Sequence, residues 1–132
     1  MIETMTIYQK RVREQDDLAR EKLPGILRKV ATATGVPATV FCGARYFSNI
    51  DRRTWARVLA MACCVAEGLD FNTTARAFYR TRQAVIAAIH RLDAKWLRDE
   101  EFRAMWLEVT GRETSPGKLL YQKRAPRKRA AA

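Results

Sequence analysis

The chain has 132 residues, of which 25 are Lys or Arg and 14 are Asp or Glu, so its formal net charge is +11. That length is enough for one domain with a buried core and shorter flanking segments. No stretch reaches the length and apolar character of a signal peptide or a membrane span, so we expect a cytoplasmic protein.

The positive charge is concentrated in two parts of the chain. Residues 26–95 carry eleven Lys or Arg against four Asp or Glu, and residues 112–132 carry seven against one. Residues 1–25 are balanced, with five of each sign. A localised basic surface attracts phosphate groups and speeds encounter with nucleic acid. The alternative is a basic surface that only keeps the protein in solution.

The cysteine and histidine content argues against a disulfide framework and a structural zinc site. Cys63 and Cys64 are adjacent within a helical pattern, Cys42 is isolated, and His90 is the only histidine. Unpaired cysteines are typical of a reducing compartment, and a zinc site needs more ligands than this spacing offers. We therefore predict neither a metal nor another cofactor.

Helical periodicity extends over most of the chain and predicts an all-α, compact helical bundle. A first helix, residues 6–23, should end at Pro24-Gly25 and form an N-terminal arm. A second helix, residues 26–34, should end at Gly35. A long apolar helix should follow, beginning at the N-cap Asp51 and ending at Gly68.

The next segment predicts a helix-turn-helix. Residues 72–92 read N-T-T-A-R-A-F-Y-R-T-R-Q-A-V-I-A-A-I-H-R-L, a short helix capped by Asn72 or Thr73, a turn at residues 79–81 and a longer helix. The outward face of the longer helix is predicted to carry Gln83, Ala87, His90, Arg91 and Ala94. Such a pair can place its second helix in a DNA major groove, which is about 12 Å wide.

A last helix, residues 99–109, should close the bundle, and Trp55, Trp96 and Trp106 are predicted to pack in the core. Beyond Gly111, Pro, Gly and clustered Lys and Arg predict a basic, disordered C-terminal tail. The predicted organisation is an N-terminal helical arm over 1–25, a helix-turn-helix domain over 26–111 and a flexible tail over 112–132.

Three segments resemble one family of helical domains. Residues 26–36 contain I-L-R-K-V-A and then T-G-V, and residues 56–61 read A-R-V-L-A-M. Residues 75–92 read A-R-A-F-Y-R-T-R-Q-A-V-I-A-A-I-H-R-L. In this order and spacing, which cover a little over half of the chain, they resemble the C-terminal DNA-binding domain of the bacterial replication initiator DnaA, a member of the Trp-repressor-like helix-turn-helix group.

The resemblance implies a scaffold that reads a short duplex box in the major groove, with an arginine from the loop before the long helix in the minor groove. Where the family has D-H-S-T, residues 81–84 read T-R-Q-A, and Tyr79 replaces a turn glycine. Asn49 falls at the position of the minor-groove arginine. Different reading residues imply a different preferred DNA sequence.

Candidate base-contacting residues lie at the start of the predicted second helix. Arg82 can bond guanine O6 and N7, and Gln83 can bond adenine N6 and N7, each pair giving roughly 1–3 kcal/mol of discrimination. Thr81 could contact DNA, but a capping role is favoured. Arg80 and Arg91 suit contacts to the DNA phosphates that set the register.

Other basic residues could add backbone or minor-groove contacts. Arg45, Arg52 and Arg53 flank the start of the long helix, where one of them could enter a narrow minor groove or remain solvated. The tail should add salt-sensitive affinity that does not depend on sequence, through Lys123, Arg124, Arg127, Lys128 and Arg129.

Together these features predict a sequence-specific double-stranded DNA-binding protein of the nucleoid, acting in replication control or transcriptional regulation and possibly encoded by a phage. No catalytic constellation is apparent, so we predict no enzyme activity. One alternative is a protein-interaction factor that mimics the initiator domain and binds a replication or transcription partner through the N-terminal helix. Another is a phage packaging subunit that recognises DNA. The oligomeric state stays open.

Overall fold

The computed structural model describes residues 6–41 and 51–121. These residues contain no strand and form an all-α bundle, as predicted. No helix within them has the length and hydropathy that crossing a bilayer requires. In chain order the elements are α1 (Ile7–Thr34), α2 (Ala38–Phe41), α3 (Arg52–Ala66), α4 (Phe71–Ala77), α5 (Arg82–Arg98), α6 (Glu100–Thr110) and a 3₁₀ helix (Pro116–Tyr121).

The predicted break at Pro24-Gly25 is wrong, because α1 runs through both residues as one helix. Leu18 and Leu23 on one side of the proline, and Ile26 on the other, pack against the same core. Pro24 itself is exposed, so its ring lies on the solvent side of α1. Apolar contacts on both sides of the proline therefore offset the hydrogen bond that it cannot donate.

The predicted caps of three helices are confirmed. Gly35 ends α1 in the left-handed conformation, with φ of 71°. The Asp51 side chain accepts a hydrogen bond from the Arg53 backbone N–H at 2.8 Å at the start of α3. Thr81 Oγ1 accepts one from the Ala84 N–H at 3.1 Å at the start of α5. Each cap occupies a backbone group that the helix itself leaves without a partner.

The core is built around α3, which has eleven buried residues among its fifteen. The other helices surround it, and α1 and α5 pack along its length. Cys63 and Cys64 are both buried, and burial raises the pKa of the Cys64 thiol to about 12 and that of the Cys63 thiol further. Both thiols are therefore neutral core side chains near pH 7.

The fold continues beyond the predicted start of the flexible tail. Residues 112–121 are placed on the bundle, where Pro116 and Leu119 are buried and the Gly117 N–H donates to Asp93 Oδ1 at 2.9 Å. The Pro-Gly pair indicated disorder in the sequence, but here it forms a 3₁₀ helix against α5. The tail residues predicted to add affinity lie outside the described residues: Lys123, Arg124, Arg127, Lys128 and Arg129.

Candidate nucleic-acid interface

The predicted helix-turn-helix corresponds to α4, a turn and α5. The start of α4 was predicted too late, since Asp70 is its N-cap and accepts a hydrogen bond from the Thr73 N–H at 2.7 Å. Ala75 and Phe78 are buried, and they hold α4 and the turn against the core. The two helices pack against each other and against α3, which fixes the orientation of α5.

The turn contains a strained, exposed aromatic residue. Tyr79 adopts a φ of 55°, and 70% of its surface is accessible to solvent. The turn is closed by the Arg80 N–H, which donates to the Ala75 carbonyl at 2.9 Å, while Arg80 Nη1 donates to the Tyr79 carbonyl at 3.1 Å. A bulky side chain rarely occupies the left-handed region because its Cβ approaches the backbone. The sequence marked this position, because Tyr79 stands where the DnaA domain that the chain resembles has a turn glycine.

The two faces of α5 differ as predicted. The inner face is buried at Val85, Ala88, Ile89 and Leu92. The outward face is exposed at Gln83, Ala87, His90 and Ala94, whereas Arg91, also predicted there, is half-buried. Because the inner face is fully packed, the outward face has a fixed orientation on the surface.

The first turn of α5 presents two polar side chains at the surface. Thr81 acts as the N-cap, the role that the sequence favoured. Arg82 is exposed, and its guanidinium carbon lies 5.6 Å from the centre of the Phe71 ring. Gln83 is exposed beside it. A carboxamide and a guanidinium are therefore available to a ligand at this end of α5.

Farther along α5, two cations lie over one aromatic ring. The Arg91 guanidinium carbon and the Lys95 ammonium nitrogen are each 4.9 Å from the centre of the Trp55 ring. Trp55 is only half-buried, as is Trp96, so the core prediction is fully met only by Trp106. Stacking on Trp55 holds Arg91 close to the α5 surface.

The arginines at the start of α3 bond within the fold. Arg52 Nη2 donates to the Thr34 carbonyl at 2.6 Å, at the C-terminal end of α1. Arg53 donates to both carboxylate oxygens of Asp51, at 2.8 and 2.7 Å. These side-chain bonds from Arg53 lower the pKa of Asp51 to about 2 and raise the pKa of Arg53. The predicted minor-groove role of this pair would require breaking these bonds, and Arg45 lies outside the described residues.

The N-terminal half of α1 is attached to the helix-turn-helix. The Gln15 side chain donates to the Gly68 carbonyl at 3.3 Å and accepts from the Asp70 N–H at 2.8 Å. Asp16 pairs with Arg76 of α4 at 2.9 Å. The sequence predicted only an N-terminal arm, or a segment that binds a partner, because its polar run gave no signal for these contacts.

No protein-family model matches the chain, and neither a curated protein nor a solved structure matches it. Among residues 6–41 and 51–121, no group of three or more His, Cys, Asp or Glu side chains is arranged to hold a metal ion.

Proposed function

We propose that the protein binds double-stranded DNA sequence-specifically, with the first turn of α5 in the major groove. The observation that carries this proposal is an exposed polar turn on a helix whose opposite face is locked into the core. A reading helix needs both features, since its side chains must reach base edges from a fixed position. As the resemblance to the DnaA domain implies, the protein would act at the nucleoid in replication control or transcriptional regulation.

Gln83 is the residue that we assign to base recognition. Its carboxamide has both a donor and an acceptor, which match N6 and N7 of adenine in the major groove. It is exposed, and the adjacent N-cap at Thr81 keeps the first turn of α5 regular. A bidentate contact of this kind gives roughly 1–3 kcal/mol of discrimination.

Cations around this turn support phosphate contacts on either side of the base contact. Arg80 lies in the turn before α5, and Arg91 lies about two helical turns beyond Gln83, held over Trp55. The region 26–95 has eleven basic residues against four acidic ones, which favours approach to a polyanion. Phosphate contacts of this type position a protein on the duplex without reading its sequence.

Selection from a random duplex library tests the proposal. The wild-type protein should enrich one short motif, and Gln83→Ala should lose preference at one base pair of it, by roughly 1–3 kcal/mol. His90→Ala is the matched control, because His90 is exposed on the same face of α5 but lies two turns farther along. The proposal fails if the wild-type protein enriches no motif, or if Gln83→Ala and the wild-type protein select the same one.

A further inference from the structure

A groove separates the N-terminal half of α1 from the helix-turn-helix and includes the start of α5. Its volume is about 170 Å³. Helix α1 contributes Tyr8, Arg11 and Val12 to its walls, and α5 contributes Arg82. The groove thus joins a segment predicted to be a separate arm to the first turn of the proposed reading helix.

The balance of charge in this groove is positive. Three arginines line it, at positions 11, 76 and 82, and Asp70 is the acidic residue among the lining residues. Asp70 already accepts a hydrogen bond from the Thr73 N–H as the N-cap of α4, and Arg76 is paired with Asp16. The positive charge offered to a ligand therefore comes mainly from Arg11 and Arg82, both of which are exposed.

The position of Arg82 decides which part of a duplex it can reach. Its guanidinium lies over Phe71, the first residue of α4, and lines the groove together with Arg11 of α1. In a docked helix-turn-helix, the first helix crosses the sugar-phosphate backbone while the second enters the major groove. A side chain directed from α5 back towards α4 would reach the DNA backbone before a base edge, a role different from the base contact predicted for Arg82 from the sequence.

We propose that this groove binds a phosphodiester of the duplex, with Arg11 and Arg82 as the cationic ligands and the Tyr8 hydroxyl as a further donor. This inference rests on the proposed function and assigns α1 to the DNA interface. The Gln15 and Asp16 contacts hold α1 beside α4. The helix that carries Arg11 is therefore fixed next to the place where α4 would cross the DNA backbone. Arg82 then anchors the register while Gln83 reads the base.

Salt-dependent affinity for the selected duplex tests the role of α1. Each phosphate neutralised on B-DNA contributes about 0.9 to the slope of log K against log salt concentration. Arg11→Ala should reduce that slope by about one and weaken matched and mismatched duplexes by the same factor. Lys10→Ala is the matched control, since it removes the same charge from an exposed neighbour on α1 that does not line the groove.

Two further measurements separate a local backbone contact from a general loss of charge. Arg82→Ala should weaken all duplexes alike without changing the preferred motif, in contrast to Gln83→Ala. Hydroxyl-radical footprinting should show protected sugars beside the motif that become accessible in Arg11→Ala and stay protected in Lys10→Ala.

The groove assignment is overturned if Arg11→Ala and Lys10→Ala give the same slope and footprint, or if Arg82→Ala changes the preferred base. In either case wild-type binding would remain, so the proposed function would stand. A thermal shift with inorganic phosphate that disappears in Arg11→Ala while the DNA footprint is unchanged would indicate a small phosphate ligand and would also overturn it. If the wild-type protein binds no duplex, both proposals fail.

Discussion

The starts of α3 and α5 carry similar basic side chains but use them differently. At α3, Arg52 bonds to the Thr34 carbonyl and Arg53 chelates the Asp51 carboxylate. At α5, Arg82 and Gln83 are exposed at the surface, and Arg82 rests on an aromatic ring. Positive charge in the sequence therefore does not identify a DNA contact, because a nearby carbonyl or carboxylate can engage the same guanidinium within the fold.

The largest effect is expected from an arginine that is fully engaged inside the fold. Arg57 of α3 is only 4% exposed, and its Nε donates to the Phe41 carbonyl at 3.0 Å. Arg57→Met keeps much of the volume but removes the donor, so the free energy of unfolding should fall by about 2–3 kcal/mol. Urea denaturation measures this loss. Arg53→Met should lower the free energy of unfolding much less, because the Arg53–Asp51 pair lies at the surface. Equal losses in the two variants would contradict this distinction between a buried and a surface arginine.

A smaller effect should separate Arg52 from Arg82. Arg52→Ala removes a hydrogen bond to the last turn of α1, so the free energy of unfolding should fall by about 1 kcal/mol, with the preferred DNA motif unchanged. Arg82→Ala should leave urea denaturation nearly unchanged while weakening duplex binding. The comparison would be wrong if Arg52→Ala weakened duplex binding as much as Arg82→Ala did at equal folded fraction.

Replacing Tyr79 should change the free energy of unfolding by a similar amount but in the opposite direction. Tyr79→Gly should raise the free energy of unfolding by about 1 kcal/mol, because glycine adopts a φ of 55° without the steric cost that other residues meet. Tyr79→Ala keeps a Cβ and should give no such gain. Denaturation curves of the two variants test this, and a gain shared by both would show that the exposed ring and not the backbone is the cause.

The smallest effect concerns acid stability at the start of α3. The pKa of Asp51 in the fold is about 2, below its ordinary 3.8, mainly because of the side-chain bonds from Arg53. Its ionised form therefore stabilises the fold above pH 4, and this contribution is lost as the pH falls through 2. Asp51→Asn can still cap α3 but cannot titrate. Between pH 5 and pH 2 it should lose less stability than the wild-type protein, and parallel losses would argue against this assignment.

Local features of α3 and α5 could be predicted from the sequence. The apolar period of α5 gave its inner and outer faces, and the residue types at Asp51 and Thr81 gave the caps. These features depend on neighbours within a few positions of the chain, so a single sequence contains the information.

Contacts between distant parts of the chain could not be predicted in this way. Gln15 bonds to Gly68 and Asp70, which are 53 and 55 residues away, and these contacts attach the helix that Pro24 was expected to end. The partner of Arg52 is 18 residues away. A polar side chain has many such partners available, and only the packing of the helices selects one.

Backbone amide chemical shifts, followed by NMR while the selected duplex is added, test most directly which helix start meets DNA. The largest changes are expected at residues 81–84, at the start of α5, with residues 52–54 at the start of α3 changing little. Large changes at residues 52–54 with none at residues 81–84 would contradict the assignment of DNA reading to α5.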